Sequence, residues 1–187
     1  MRIRLLSIAA LAVLLAGCGD RRLLLGVDAL SFTSPQDRVY AFGPVPALPV
    51  PVQTGEVPVL DDMRVNLFSG SGDVVNVEEA TLTLSADVAD STGDGLDTLR
   101  VYMSDPNTDP RTTVPVVVAP VALLPGQHTP LHAVVGGDPR VTSLFTQSQM
   151  RVTVTTSLQG PASGQPLNGA VTLTALRADV VASRHKM

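Results

Sequence analysis

Hydrophobic and polar residues alternate with a period of two along much of the chain. In ATLTLSA, Leu82 and Leu84 fall on one face, and threonine and serine fall on the other. MRVNLF and TLRVYM follow the same pattern. One apolar face at this period is typical of half-buried strands in antiparallel sheets. With turn signals roughly every 8–12 residues, the pattern predicts an all-β fold. We expect one antiparallel, immunoglobulin-like β-sandwich of roughly seven to nine strands over residues 23–187.

Three segments add detail to the predicted sandwich. TVPVVVAPVALL is apolar on both faces but contains Pro115 and Pro120, which favours an edge strand or a strand broken by a bulge. MRVTVTTSL and GAVTLTALRADVV are predicted to form a long final hairpin. In the second of these the apolar phase slips near Ala175 and Leu176, which indicates a β-bulge.

A single segment has a helical pattern. Asp138 is a candidate N-cap, and Pro139 stands at the first helical position. Val141, Leu144 and Phe145 follow at the spacing i, i+3, i+4, which places them on one helical face. We predict one short helix that closes one end of the sandwich.

Residues 44–58 contain five prolines, which exclude a helix or a central strand there. The preferred interpretation is a stiff connection lying on the domain surface. The alternative is a polyproline ligand for a partner with an aromatic groove.

The first 18 residues have the features of a processed leader. Arg2 and Arg4 precede an aliphatic run from Leu5 to Leu15, and this run is too short to span a bilayer. Leu15-Ala16-Gly17-Cys18 then resembles the lipobox of bacterial lipoproteins. The resemblance implies that the helical signal peptide, residues 1–17, is removed. It also implies that Cys18, the only cysteine, carries a diacylglyceryl group and an N-acyl chain.

The same resemblance predicts where the protein resides. Residues 18–22 would be a lipidated tether. Glycine directly after the cysteine is compatible with export in that family, whereas aspartate there favours retention in the inner membrane. Gly19 therefore implies an outer-membrane location facing the periplasm.

Composition argues against a nucleic-acid partner. The formal net charge of the whole chain is −4, and removal of Arg2 and Arg4 would bring it to about −6. Nucleic-acid binding requires a basic surface instead. Aromatic residues make up only 3% of the chain, so valine, leucine, alanine and threonine must fill the interior.

The stretch DSTGDGLD is a weak candidate for a calcium loop. Asp90, Asp94 and Asp97 crowd it, but Val101 stands where such a loop requires a bidentate glutamate. The preferred alternative is a polar hairpin tip, in which aspartate and glycine serve the turn. His128 and His132 have a metal-like spacing, but Pro130 between them excludes a helix. No metal or other cofactor is therefore predicted.

The chain has no motif for nucleophilic catalysis or phosphate binding. We therefore expect a non-catalytic, lipid-anchored envelope protein with a structural or protein-binding role, with the membrane and other envelope proteins as partners. The alternative is a ligand-binding lipoprotein for lipid or glycan. An open cavity between the sheets would favour lipid, and a closed core would favour the structural role. A hydrolase is a third possibility that no motif supports.

Overall fold

The computed structural model describes residues 22–67, 75–162 and 164–184. The predicted signal peptide and Cys18 lie outside these ranges. The described strands are β1 Arg22–Asp28, β2 Val39–Val45, β3 Val57–Asn66, β4 Val75–Thr92, β5 Gly95–Ser104, β6 Val117–Leu123, β7 His128–Gly136, β8 Gln149–Gln159 and β9 Leu167–Arg184. Helix α1 spans Pro139–Leu144, and 3₁₀ turns span Ala29–Phe32, Pro35–Arg38 and Pro110–Thr112.

The strands form two antiparallel sheets that pack face to face. Sheet A has the order β1-β9-β4-β7, and β2 also pairs with β9. Sheet B has the order β3-β8-β5-β6. The prediction of a two-sheet antiparallel β-sandwich with one short helix is confirmed.

The strand order follows from a set of nested pairs. Strand β2 pairs with β9, β3 with β8, β4 with β7, and β5 with β6, all antiparallel. The chain therefore resembles one long hairpin, centred between β5 and β6 and rolled into two layers. Pairing of β4 with β9 and of β5 with β8 joins these pairs into sheets. This is the arrangement of a jelly roll, in which β1 and β2 share one strand position.

The strand order, which the sequence pattern did not predict, is not that of an immunoglobulin sandwich. An immunoglobulin sandwich places its first, second, fifth and fourth strands in one sheet. Here the first strand pairs with the last one instead. A period of two in the sequence shows which face of a strand is buried. The immunoglobulin sandwich and the jelly roll require the same burial pattern, so the period does not distinguish them.

The predicted final hairpin was wrong. Strand β8 lies in sheet B and β9 in sheet A, so the loop between them crosses from one sheet to the other. The link from β4 to β5 crosses in the same way. Strands β4 and β5, and likewise β8 and β9, therefore lie in opposite sheets although they are close in sequence.

The irregular features of individual strands are as expected. Pro120 lies in β6, which is an edge strand of sheet B. In β9, Ala175 pairs with Ser85 while Leu173 pairs with Ala86, so Thr174 is the extra residue of a bulge. The bulge explains the phase slip, because Leu173 before it and Leu176 after it are both buried.

Helix α1 begins as predicted. The Asp138 side chain accepts a hydrogen bond from the Arg140 amide, and Pro139 occupies the first turn. Val141 and Phe145 are buried, and they attach the helix to the core. In the described ranges, no helix is both long and apolar enough to cross a bilayer.

Aliphatic side chains close the interior between the sheets. Leu84, Val88, Leu99, Val101 and Val154 are fully buried. A void at the sheet interface, lined by residues such as Leu82, Met103 and Leu176, measures only about 10 Å³. That volume is about the space one water molecule needs, so the void is too small for an acyl chain.

Candidate functional site

The three carboxylates of the weak calcium-loop candidate do not converge. Asp90 lies near the end of β4 on the inner face of sheet A, Asp97 lies on the inner face of sheet B, and Asp94 is exposed in the link between them. In the described part of the chain, no group of three histidine, cysteine, aspartate or glutamate residues could hold a metal ion. The hairpin-tip alternative was wrong as well, because the link joins strands of opposite sheets.

Asp97 is instead a buried carboxylic acid in the core. It shares the inward face of β5 with Leu99, Val101 and Met103, and none of its surface is exposed. The hydroxyl of Thr156 donates a short hydrogen bond to its Oδ1 atom. Its Oδ2 atom has no hydrogen-bond partner among the described residues. Burial raises the pKa of Asp97 from 3.8 to about 6, although the Thr156 bond acts in the opposite direction.

Asp90 has a similar but milder environment. Its Oδ1 atom accepts a hydrogen bond from the Thr92 amide at 3.1 Å. Its Oδ2 atom is buried and lacks a partner in the ranges described. Burial raises the pKa of Asp90, and the nearby charge of Asp94 adds to the effect. Both carboxyls weaken the fold when ionised, because a buried charge without full hydrogen bonding is costly.

A polar network centred on Glu56 lies on the outer face of sheet B. One oxygen of Glu56, Oε2, accepts hydrogen bonds from the Tyr102 hydroxyl at 2.8 Å and from the Thr155 hydroxyl at 2.9 Å. Its other oxygen lies 3.5 Å from Nε of Arg100. Arg100 also donates a 2.7 Å hydrogen bond from Nη1 to the Ser157 hydroxyl. The network thus covers the centre of the sheet with bonded polar groups.

The Pro-rich segment positions this network. The Thr54 amide donates a 2.7 Å hydrogen bond to the Leu158 carbonyl, and the Leu158 amide donates one back to the Thr54 hydroxyl at 2.9 Å. The Gln53 amide side chain donates a hydrogen bond to the Ser157 hydroxyl at 2.8 Å. These bonds tie the end of the segment to β8, as expected for a connection lying on the domain surface. They also bring Glu56 over Tyr102.

A second ion pair extends the polar face toward the 3₁₀ turn at Pro110–Thr112. Nε of Arg151 forms a short bond with Oδ1 of Asp62, and its Nη1 donates to the Thr108 carbonyl at 3.0 Å. Asp62 has a positive φ of 46°, and its amide donates to the Thr153 hydroxyl. The Arg151 hydrogen bond lowers the pKa of Asp62, so this carboxylate stays ionised at neutral pH.

The network is suited to holding the face rigid rather than to proton transfer. Burial, followed by the bond to Glu56, raises the pKa of Tyr102 to about 12. The phenol therefore stays protonated at neutral pH and acts as a hydrogen-bond donor. A general base or acid should instead have a pKa near the working pH.

The two histidines of interest lie on the outer face of sheet A. Nδ1 of His128 lies 2.8 Å from Oδ2 of Asp87, and Nδ1 of His132 lies 2.9 Å from the Ser85 hydroxyl. Four residues of strand separate the two rings by about 13 Å, so they cannot share a metal ion. The Ser85–His132 pair is exposed on a sheet face, where nothing excludes water from it.

An open groove lies where β2 of sheet A approaches β3 of sheet B. Its volume is about 530 Å³, within the usual range for small-molecule sites. The 3₁₀ turns before β2 form one wall. Apolar, aromatic and polar side chains line the groove as a whole: Phe32, Thr33, Gln36, Asp37, Val39, Tyr40, Pro58, Val59, Leu60, Asp61 and Met63. Phe32 is 63% exposed.

Sequence reasoning missed both the Glu56 network and the groove. Glu56 and Thr155 are 99 residues apart in the chain, and no local pattern connects them. The sequence did contain a signal that Asp97 faces the core, since it falls in phase with the apolar residues Leu99 and Val101.

Comparisons with known proteins do not identify a family for this chain. No family model matches it, and no curated protein does. Among solved structures, a chain of the infectious bursal disease virus Gx strain is 12% identical at a TM-score of 0.39, covering 99% of this chain and 42% of its own. A chain of the T13 particle of the same virus is 10% identical at a TM-score of 0.37, covering 95% and 45% respectively. This chain therefore spans less than half of either viral chain, and TM-scores this low support no functional argument.

Proposed function

We propose that this chain is a bacterial lipoprotein with a non-catalytic structural or protein-binding role at the cell envelope. The observation that carries the proposal is the sequence Leu15-Ala16-Gly17-Cys18 behind a basic and apolar leader. Two or more acyl chains on Cys18 would give stable membrane attachment, whereas a single chain binds only marginally. Gly19 favours the outer membrane, with the domain in the periplasm.

The position of the first strand supports a domain held close to the membrane. Strand β1 begins at Arg22, four residues after Cys18. Four extended residues reach about 13 Å, which is less than half the thickness of a bilayer. A tether this short would restrict the domain to partners near the same membrane surface.

The closed core and the bonded outer face support a structural role over an internal lipid site. The void at the sheet interface is about 10 Å³, and apolar side chains form the hydrophobic core around it. Both arginines of the outer network pair with carboxylates. Exposed apolar side chains on the Pro-rich segment, Leu48, Val50 and Val52, offer contacts for another envelope protein.

Two variants test the anchor. We expect Cys18→Ser to lose the lipid and to move nearly all of the protein from the membrane pellet to the soluble fraction. Intact-protein mass spectrometry and fractionation measure the two effects. Gly19→Asp is the matched variant: it should keep the lipid but accumulate in the inner membrane. Membrane binding of Cys18→Ser equal to that of the wild type would contradict the proposal.

The groove favours glycan binding as a second candidate function. Phe32 and Tyr40, two of only six aromatic residues in the chain, lie in this one groove. Gln36, Asp37 and Asp61 line it as well. Aromatic faces pack against the C–H faces of sugars, while carboxylates and amides bind their hydroxyls.

NMR titration with a panel of envelope oligosaccharides, including peptidoglycan fragments, tests this candidate. We expect one class of sugar to shift the resonances of Phe32 and Tyr40. Phe32→Ala should weaken that binding about tenfold, because it removes the exposed aromatic face. Val134→Ala, at another exposed apolar residue, should leave it unchanged. Shifts spread evenly over the surface would count against a glycan site.

A further inference from the structure

The edge strands of the two sheets differ in how they are protected against pairing. An exposed edge presents unpaired backbone N–H and C=O groups, and proline is one residue that blocks it. Prolines lie in β2, β3, β6 and β7, which are all edge strands: Pro44, Pro58, Pro120 and Pro130. Among the described edge strands, only β1 (RLLLGVD) has none.

Strand β1 also has an exposed apolar residue and two terminal charges. It pairs with β9 on one side, and no described strand pairs with its other side. Leu24 points outward and is 76% exposed. The Arg22 side chain is 72% exposed, with Nε 3.4 Å from Oε2 of Glu78. Asp28 is exposed, and its Oδ1 atom accepts a hydrogen bond from the Leu30 amide.

We infer that β1 is a dimerisation edge that pairs with β1 of a second copy of this chain. In an antiparallel pair centred on Leu25, Arg22 of each copy lies opposite Asp28 of the other. Both ends of the strand pair thus carry a complementary ion pair. All seven residues of β1 pair in this register, whereas a shift by two residues leaves the charges unmatched.

The side chains of β1 fit the same register. Leu24 lies opposite Gly26, which has no side chain, so this large exposed residue meets no opposing Cβ atom. Gly26 has the Arg177 guanidinium beside it, with Nη2 3.3 Å from where a Cβ atom would be. Leu24 of the second copy would therefore lie near the Arg177 side chain. Pairing would join the two copies of sheet A into one continuous sheet.

The inference rests on the proposed function, because the lipid anchor concentrates the chains in one plane. Edge pairing of seven residues is weak in solution, since it involves one short strand from each copy. Confinement to a membrane raises the effective concentration of the second copy. The two Arg22 residues would lie about 20 Å apart, at opposite ends of the strand pair.

Cysteine cross-linking of the full-length chain in intact cells tests the register. With Cys18 acylated, a cysteine introduced at position 25 would be the only free thiol. Directly opposed residues have Cβ atoms close enough for a disulfide. We expect Leu25→Cys to give a disulfide dimer under mild oxidation. For Leu24→Cys, one position out of register, the yield of disulfide dimer should be about tenfold lower.

Charge exchange provides a second test, with the yield of the Leu25→Cys disulfide dimer on the membrane of intact cells as the readout. We expect Arg22→Asp to weaken dimerisation about tenfold, because it places like charges opposite each other twice. The double variant Arg22→Asp/Asp28→Arg should restore the dimer. Circular dichroism of each variant establishes that it is folded.

The outcomes distinguish failure of the dimer proposal from failure of the anchor proposal. A lipidated, membrane-bound chain that stays monomeric in both tests would overturn the dimer while the anchor proposal stands. A dimer that forms without lipid or membrane binding would overturn the anchor instead. Equal cross-linking at positions 24 and 25, or a dimer insensitive to Arg22→Asp, would overturn the proposed register.

Discussion

Replacing Asp97 with asparagine is expected to stabilise the protein at pH 7 by about 1–3 kcal/mol. The carboxyl is fully buried and receives a hydrogen bond from Thr156, but its Oδ2 atom has no partner in the described structure. Asparagine keeps an oxygen for the Thr156 bond and carries no charge. The upper limit corresponds to the whole cost of ionising Asp97 in the core, and the unpaired amide of asparagine reduces the gain.

The sign of the pH dependence follows from the raised pKa. The pKa of Asp97 is about 6 in the folded chain, against 3.8 for the ordinary side chain. The fold therefore prefers the neutral carboxyl. Its stabilising contribution is complete below pH 3.8 and is lost as the pH rises through 6. The difference of about 2.2 pKa units corresponds to about 3 kcal/mol.

Urea unfolding of the wild type and of Asp97→Asn at pH 4, 5, 6 and 7 measures this effect. The difference in free energy of unfolding between the two proteins should grow across this range. Asp61→Asn, at an exposed carboxylate on β3, is the control and should show no such trend. If the wild-type and Asp97→Asn free energies of unfolding stay parallel from pH 4 to pH 7, Asp97 is not a buried acid with a raised pKa.

Local features of the fold were predictable because each depends on residues close in sequence. The Asp138-Pro139 start of α1 requires only a cap and a fixed φ at adjacent positions. The bulge at Thr174 appeared as a phase slip, since the residues on either side must both face the core. Pro120 marked β6 as an edge strand, because proline cannot donate a ladder hydrogen bond.

The sheet assignment of each strand was not predictable in the same way. The sequence of β8, and that of β9 apart from its bulge, alternates between apolar and polar residues, and this pattern is the same for a hairpin and for two strands facing each other across a core. The choice depends on contacts between distant segments, such as the pairing of β1 with the end of β9. The sequence did not predict the outer-face network either, because Glu56 contacts Tyr102 and Thr155 only after the sheet has formed.

Replacing Phe145 with alanine should have the largest effect on stability, a loss of about 3–5 kcal/mol. Phe145 follows α1 directly, is 1% exposed and belongs to the hydrophobic core. Alanine would leave a cavity that close-packed surroundings fill only in part. A loss of this size would remove a large part of the stability of a typical domain.

Phe32→Ala is the matched control, because it removes the same side chain from a site that is 63% exposed. We expect it to change the free energy of unfolding by no more than about 0.5 kcal/mol. Urea midpoints at constant pH, with unchanged slopes, would give the two values on one scale. A Phe145→Ala cost as small as that of Phe32→Ala would mean that α1 is not packed into the core, and that the end of the sandwich is open.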